Sequence, residues 1–255
     1  MSSPPNKPVQ LEYAAISEIG MRSSNQDHIG LAQRDGLRCF VVADGAGGHH
    51  GGEIASRVVV DALLARFDAE ASFGPRALLS YVEHASRQLA LARRGKPELA
   101  DMSTTVAALL VDGANARAVW AHTGDTRLYL FRGGRVHAVT RDHSLTQQLI
   151  DAGYARADQL RVHPQRNILL AAVGTEGESA ASATETAVDL VDGDAFLVCT
   201  DGLWEWVLEH EMEQALAAAS DSQAWLAALC AIADNAAVRS GGKRDNYSAY
   251  AIRVR

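Results

Sequence analysis

The sequence predicts an α+β fold in which two central antiparallel sheets pack face to face between outer helices, a four-layer α-β-β-α sandwich. Two observations predict it. Short apolar runs joined by Asp-Gly or Gly-Gly turns recur along the chain, and such tight turns join antiparallel strands. Segments with helical spacing of apolar residues fall between the early strands and again between the late ones. Outer helices would cover the sheet faces that the two sheets do not cover for each other.

The strands are predicted as two single strands and four hairpins. The single strands are residues 11–16 and 247–253. The hairpins pair residues 29–33 with 37–43, 104–111 with 116–122, 127–131 with 135–140, and 188–190 with 195–199. In the second hairpin, the Asp112-Gly113 pair is expected to hold the positive-φ positions of the turn.

Four long helices are predicted at residues 53–67, 75–94, 209–219 and 222–238. Residues 142–174 fit the sandwich least well, because they hold only short helical pieces, at 145–152 and 157–160, and predict an excursion across the surface. No repeat or low-complexity linker divides the sequence. We therefore expect one domain, residues 11–255, after a flexible N-terminal tail, residues 1–10.

Composition favours an ordinary soluble globular protein, with 47% hydrophobic and 22% charged residues. The net charge of −7 weighs against a broad nucleic-acid-binding face. Three cysteines stand in apolar runs and predict core residues in a reducing compartment. The sequence has no apolar stretch near the ~20 residues of a transmembrane helix, and no signal-peptide pattern. We expect a cytoplasmic monomer that binds neither nucleic acid nor a membrane.

Three apolar runs end on an aspartate beside a glycine, at Asp44-Gly45, Gly124-Asp125 and Asp201-Gly202, and Asp245 stands at the start of the last strand. Taken singly, each pair also suits an ordinary turn. Carboxylates at the ends of central strands are costly to desolvate unless a positive charge lies between them. If these strand ends share one rim, they form an oxygen-rich pocket for hard divalent cations. The sequence therefore predicts a metal-dependent site.

The order of these and other short motifs resembles the bacterial branch of the metal-dependent, type 2C-like (PPM) Ser/Thr protein phosphatases. The resemblance runs from about residue 12 to residue 254. The motifs that carry it are Arg22 and Asn25-Gln26-Asp27, residues 42–49 (Val-Ala-Asp-Gly-Ala-Gly-Gly-His), Ser103-Thr104-Thr105, Gly124-Asp125-Thr126-Arg127, Asp201-Gly202 and Asp245-Asn246. Each string alone is weak evidence, whereas six in the family's order and spacing are specific.

The resemblance implies a centre with two Mn²⁺ or Mg²⁺ ions. By the family's pattern Asp44 would bridge both ions, the Gly45 carbonyl would bind one of them, and Asp201 and Asp245 would bind the other. Both metals prefer octahedral oxygen shells that retain several waters, so few protein ligands suffice.

Further roles follow from the same resemblance. Asp27 would hold metal-bound water from behind the ligands, and Asp125 resembles the residue that binds a third, weaker ion in bacterial members. Arg22 matches the arginine that grips the substrate phosphate, and a guanidinium fork fits two phosphate oxygens. Residues 142–174 correspond to the flap beside the site.

The implied function is hydrolysis of phosphoserine and phosphothreonine in proteins by direct attack of a metal-activated water. Such enzymes commonly oppose a bacterial Ser/Thr kinase, so phosphoproteins and a kinase with its targets are the expected partners. The segment from Asp201 to Glu205 (Asp-Gly-Leu-Trp-Glu) resembles forms found beside type VI secretion systems.

Two departures from the family's pattern stand out. Ala46 occupies the position where many relatives carry a histidine, so the general acid is unassigned between a metal-bound water and His49. Leu170 and Ala171 replace the threonine and arginine usual in the flap.

Two alternatives of other classes remain open. One is a phosphatase-like interaction module that has lost catalysis, for which the departures leave room although all matched ligands are present. The other is a two-metal nuclease or small-phosphoester hydrolase, against which the acidic charge weighs. A zinc site at His49-His50 is disfavoured because no second histidine or cysteine pair has ligand spacing.

Overall fold

Two antiparallel sheets lie face to face in the computed structural model, which describes residues 8–46, 51–175, 181–242 and 244–255. Helices cover the outer face of each sheet. The predicted α+β class and its four layers are confirmed. In the described part of the chain, no helix is long and apolar enough to cross a bilayer.

Twelve strands, β1 to β12 in chain order, form the two sheets. They are Leu11–Glu18, Asp27–Arg34, Leu37–Ala46, Ser103–Thr104, Val106–Asp112, Arg117–Thr123, Arg127–Arg132, Arg135–Val139, Ser182–Ala183, Val188–Asp189, Ala195–Cys199 and Tyr247–Val254. The first sheet has the order β1-β12-β11-β7-β8. The second has the order β10-β6-β5-β3-β2, with β4 beside β3 and β9 beside β6.

Six α-helices, α1 to α6, are described. They are Gly51–Ala69, Pro75–Arg93, Leu145–Asp151, Asp201–Trp204, Glu209–Ala218 and Ser222–Ser240. The four long ones begin and end within two residues of the predicted bounds. Pro75 opens α2. The Asp221 side chain accepts a hydrogen bond from the Ala224 amide at the start of α6, and Gly241 ends that helix with a φ of 63°. The four predicted long helices are confirmed, and α4 was not predicted.

The core consists of three apolar layers. Alternate residues of the buried strand β3 point to opposite faces, so Phe40 and Val42 pack between the sheets while Cys39 and Val41 pack against α1 and α2. A third layer lies between the first sheet and α4 to α6, around Trp225. Burial on both faces explains why β3 is a continuous apolar run rather than an alternating one.

The fourth predicted hairpin is wrong. Strand β10 (Val188–Asp189) pairs with β6 in one sheet, whereas β11 (Ala195–Cys199) pairs with β7 and β12 in the other. The turn between them therefore crosses from sheet to sheet. Asp194 holds that crossing, since its buried carboxylate accepts hydrogen bonds from the Val191 amide and from the Arg132 guanidinium.

The second hairpin is confirmed as a pair, but its turn is not the predicted one. Positive φ occurs at Ala116 (49°) and not at the Asp112-Gly113 pair. The Asp112 carboxylate accepts hydrogen bonds from the backbone and side-chain amides of Asn115. Asp112 thus caps a longer loop, and this loop moves the left-handed residue to its end.

The chain is tied to the sandwich from residue 9 onwards, because the Val9 and Gln10 amides donate to the carbonyl groups of Gly113 and Arg255. Residues 1–7, most of the expected tail, lie outside the described residues.

Three arginine contacts fasten the surface segment 142–174 to the sandwich. Arg127 makes a buried bidentate pair with Asp142 at 2.7 Å. Arg161 pairs with Glu209 at 2.6 Å, and Arg166 pairs with Glu205 at 2.8 Å. The predicted short helical pieces are present as α3 and a 3₁₀ turn, Ala157–Gln159. The segment is therefore docked on α4 and α5, beside Asp201.

Substitution of Phe40 tests the contribution of the apolar layer between the two sheets to stability. Its ring is fully buried and makes edge-to-face contacts with Tyr13 and Tyr250, at centroid distances of 5.4 and 5.3 Å. Phe40→Ala should lower the free energy of unfolding by about 3–5 kcal/mol, which is roughly 10 °C in Tm for a chain of this size. Val139→Ala, at a residue 47% exposed on an edge strand, should change Tm by less than 2 °C. Equal shifts in the two variants, measured by thermal unfolding, would contradict this packing.

Candidate metal centre

A cleft of about 280 Å³ opens at one rim of the sandwich and collects most of the predicted site. Its lining includes Arg22, Asp44, Gly45, Asp125, Asp201 and Asp245. Larger cavities exist elsewhere in the described part, among them one of about 650 Å³ beside His122 and His143. Only the smaller cleft concentrates aspartates from four strand ends, so composition rather than volume identifies it.

Two threonines hold the peptide of Asp44 from both sides. The Asp44 amide donates to the Thr105 hydroxyl at 2.9 Å, and the Thr104 hydroxyl donates to the Asp44 carbonyl at 2.8 Å. The Thr105 hydroxyl also contacts that of Thr126, at 2.6 Å. These contacts fix the end of β3 and aim its carboxylate into the cleft.

Gly45 is required by a close approach. A Cβ at this position would lie 2.0 Å from the carbonyl oxygen of Gly52, at the start of α1. The first turn of α1 is thereby packed directly against the end of β3, which only glycine permits.

Asp201 begins the short helix α4, directly after β11. Gly202 lets the start of β12 approach it, because a Cβ there would lie 1.9 Å from the Asn246 carbonyl oxygen. The side chain of Asn246 accepts a hydrogen bond from the Gln26 amide and donates to the carbonyls of Ile19 and Ser24. Asn246 thus ties the loop that carries Arg22 to the strand end that carries Asp245.

Arg22 forms an ion pair with Asp245 across the mouth of the cleft. The guanidinium is 61% exposed, and its pKa is raised chiefly by the hydrogen bond to Asp245. The second oxygen of Asp245 accepts from the Asn246 amide at 2.8 Å. Each oxygen of Asp245 thus accepts one hydrogen bond, and each has a further lone pair that can face a cation.

Asp27 and Asp125 are buried, whereas Asp44, Asp201 and Asp245 are half-buried as whole residues. Asp27 lies opposite Asp44 in the strand register and accepts a hydrogen bond from Thr200 at 3.0 Å. The carbonyl of Asp125 accepts a hydrogen bond from the Trp204 indole at 2.9 Å, which links the Asp125 loop to α4. Each of the two is thus fixed by a neighbour of Asp201.

The electrostatics of the cleft are those of crowded carboxylates. Burial, with a further contribution from neighbouring aspartates, raises the pKa of Asp27 and the pKa of Asp125 to about 7. The same two causes raise the pKa of Asp44 and that of Asp201 well above their usual range. Ionising all of them together is unfavourable unless cations enter the cleft.

The donor set fits hard divalent cations. Every donor is an oxygen, as Mg²⁺ and Mn²⁺ prefer. One buried oxygen of Asp201 and one of Asp27 have no hydrogen-bond partner, a cost that coordination or an ordered water would remove. Within the described ranges, no three His, Cys, Asp or Glu side chains already surround one ion position.

The structure brings six of the seven predicted site residues to the cleft wall, and places Asp27 beside Asp44 on the neighbouring strand. Their roles as ligands and phosphate binder remain predictions. Ala46, Asn167 and Leu169 also line the cleft, whereas His49 lies outside the described residues. Sequence reasoning missed the positioning roles of Thr104, Thr105, Asn246 and Trp204. The first three stand inside the quoted motifs, which was the available signal.

The amino-acid sequence is similar to those of known proteins. The family profile described as protein phosphatase 2C matches residues 17–241. The serine/threonine protein phosphatase PstP of Mycobacterium tuberculosis is 34% identical over 220 residues, which cover 81% of this chain and 39% of the relative. The chain thus spans about two fifths of the length of that relative.

Two solved structures are similar over nearly the whole chain. The catalytic domain of PstP in complex with two manganese ions has a TM-score of 0.81 and 28% identity, covering 96% of this chain and 98% of that one. PppA, described as a key regulatory component of the type VI secretion system in Pseudomonas aeruginosa, has a TM-score of 0.77 and 31% identity, covering 98% and 100%.

The crowding of carboxylates is testable without catalysis. The raised pKa of Asp201 in the folded state means that its contribution to stability is fully present below the unfolded pKa of about 3.9 and is lost as the pH rises through the folded pKa. In metal-free protein at pH 8, Asp201→Asn should therefore raise Tm, by about 3–6 °C if 1–2 kcal/mol of repulsion is relieved. At pH 5 this gain should shrink.

Added Mn²⁺ should reverse the order of the two Tm values, so that the wild-type protein becomes more stable than Asp201→Asn. Mn²⁺ binds the folded state and should raise the Tm of the wild-type protein at pH 8, and it should raise that of Asp201→Asn much less. Thermal unfolding of both proteins with and without Mn²⁺ measures this. An equal Mn²⁺ shift in the two proteins would remove Asp201 from the centre.

Proposed function

Because the chain belongs to the protein phosphatase 2C family, we propose that it is a Mn²⁺- or Mg²⁺-dependent phosphatase acting on phosphoserine and phosphothreonine in proteins. The observation that carries the proposal is the convergence of Asp44, Asp201 and Asp245 with Arg22 in one cleft. That cleft pairs a carboxylate cluster suited to divalent cations with a guanidinium suited to a phosphate dianion.

Each residue has a role in this proposal. Asp44 and the Gly45 carbonyl would hold ions from the end of β3, Asp201 and Asp245 would hold them from α4 and from the segment before β12, and Asp125 would hold a third, weaker one. When bound, two such ions supply a water of lowered pKa as the nucleophile and neutralise the charge on the phosphoryl oxygens.

Arg22 orients the phosphate ester. Its guanidinium is 61% exposed, and its fork can donate two parallel hydrogen bonds to phosphate oxygens. Asp27 accepts hydrogen bonds at the back of the cleft, where Thr200 fixes its carboxyl group. Stabilisation of a phosphoryl-transfer transition state depends mainly on such positioning and charge.

No described side chain of the cleft is a histidine, and Ala46 has no proton to give to the leaving alkoxide. Thiol chemistry is also disfavoured, because Cys39 and Cys199 are buried within strands and burial raises the pKa of each thiol. In the proposed reaction, hydrolysis therefore proceeds without a covalent enzyme intermediate.

The wider setting is also proposed. Residues 11–255 act as one catalytic domain with residues 142–174 as its flap, and the protein works as a cytoplasmic monomer. Its substrates are phosphorylated proteins, namely a Ser/Thr kinase and the targets of that kinase. The likeness to PppA over nearly the full chain supports a role beside a type VI secretion system.

Hydrolysis of a phosphothreonine peptide tests the function itself. Metal-stripped protein should be inactive, and added Mn²⁺ should restore phosphate release. Asp44→Ala and Asp201→Ala should each lower kcat by at least 10³-fold, because a lost ligand removes charge stabilisation worth several kcal/mol. Circular dichroism should show both variants folded. Folded, Mn²⁺-binding wild-type protein without turnover would favour a binding module that has lost catalysis.

Arg22→Ala tests phosphate binding separately. We expect KM for the peptide to rise about 10- to 100-fold, the effect of losing charged hydrogen bonds worth roughly 1.5–3 kcal/mol, with a smaller change in kcat. Arg22→Lys should recover only part of the loss because an ammonium lacks the fork. A large fall in kcat with unchanged KM would instead assign Arg22 to the transition state alone.

A further inference from the structure

A groove of about 600 Å³ opens on the side of the loop 18–22 that faces α6. Its lining includes Ile19, Gly20, Met21, Val238, Gly241 and Tyr247, with three charged residues, Glu18, Asp234 and Arg244, and we name it the Met21 groove. We propose that the Met21 groove docks an apolar side chain of the phosphopeptide substrate, close to the phosphorylated residue. This inference rests on the proposed function and adds to it a selectivity for the flanking sequence.

The groove borders the metal cleft. On one side Met21 lines the groove and Arg22 lines the cleft, and on the other side Arg244 and Asp245 divide in the same way. The Met21 amide donates to the Arg244 carbonyl at 3.0 Å, so the two segments are joined along this boundary. A chain that places its phosphate at Arg22 therefore has the groove directly beside it.

The reach is short. An extended peptide advances about 3.3 Å per residue, so a side chain two to four residues from the phosphorylated one spans roughly 7–13 Å. Consecutive residues, Met21 with Arg22 and Arg244 with Asp245, line the groove and the cleft respectively. The groove therefore begins within that distance of a phosphate bound at Arg22.

The walls present apolar surface to solvent. Met21 is 65% exposed, Val238 is 82% exposed and Ile19 is 42% exposed. Large exposed apolar side chains gathered around one concavity indicate an interaction site more strongly than the same residues scattered singly. The backbone of Gly20 packs closely against the Asp245 carbonyl, where a Cβ would lie 2.1 Å away, so the loop 18–22 is seated on the segment before β12.

The charges around the groove favour an apolar occupant over an acidic one. The Arg244 guanidinium is buried over the Tyr247 ring, pairs with Asp234 and donates to the Gly202 carbonyl. The charges of Arg244 and Asp234 thus offset each other. The remaining charge among the described lining residues is the carboxylate of Glu18. An acidic flanking side chain would meet this carboxylate and lose hydration against apolar walls.

Paired peptides test the inference. Phosphothreonine peptides with leucine or glutamate two or three residues from the phosphothreonine, on either side, are compared with p-nitrophenyl phosphate using Mn²⁺-loaded wild-type protein. The leucine peptide should have a kcat/KM about tenfold higher on at least one side, as burial of an apolar side chain gives. Val238→Glu should reduce the preference to about twofold or less, and should lower the ratio of leucine-peptide to p-nitrophenyl phosphate turnover.

A matched control is Leu91→Glu. Leu91 is 50% exposed on the outer helix α2, and this variant places the same charge on a remote helix. It should retain both the preference and the turnover of p-nitrophenyl phosphate. Equal hydrolysis of all peptides by the wild-type protein, or a preference that survives Val238→Glu, overturns the groove assignment while leaving the phosphatase intact.

A binding measurement separates failure of the groove from failure of the proposed function. Fluorescently labelled phosphonate analogues of the same peptides, which cannot be hydrolysed, are titrated with Mn²⁺-loaded wild-type protein and with Val238→Glu. If no peptide is hydrolysed but leucine analogues bind about tenfold more tightly and Val238→Glu removes the difference, the groove stands and the proposed activity fails. If binding also shows no preference, the groove assignment fails as well.

Discussion

The repulsion among aspartates at one rim of the sandwich is the constraint on which the site depends. Asp27, Asp44, Asp125 and Asp201 are gathered where burial raises their pKa values. Nothing in ordinary folding favours such an arrangement, because each carboxylate is costly to desolvate and each repels the next. The one guanidinium of the cleft, Arg22, is more than half exposed and offsets only part of that charge. The cluster becomes favourable when divalent cations share it.

Holding like charges together requires a rigid frame, and the backbone supplies it. The peptide of Asp44 is held by Thr104 and Thr105, and glycines at 45 and 202 let neighbouring chain segments come closer than a Cβ would allow. Behind these contacts the strand ends are fixed by a sandwich buried on both faces. Stability of the layers and geometry of the cleft are therefore one problem, since a shift between the sheets would move the carboxylates apart.

Sequence patterns predicted most of the fold because hairpins and amphipathic helices depend on local periodicity. They failed at Val188–Asp189 and Ala195–Cys199, where a turn-forming Asp192-Gly193 pair joins strands of different sheets. Pairing partners are decided by tertiary packing, which here includes the buried Arg132–Asp194 pair. At the site, motifs located the carboxylates and Arg22. They did not show that Arg22 pairs with Asp245, because that contact joins residues far apart in sequence.

The two sides of the cleft differ in a way that bears on selectivity. On the flap side, Arg127, Arg161 and Arg166 bind residues 142–174 to the sandwich through ion pairs. On the other side, the loop 18–22 leaves apolar side chains exposed around the Met21 groove. In the proposed function, a cleft of about 280 Å³ would hold the phosphate ester but little of the chain that bears it. Discrimination among phosphoproteins would then depend on the neighbouring surfaces, of which the open apolar side is free to bind a substrate whereas the ion-paired side is bound within the protein.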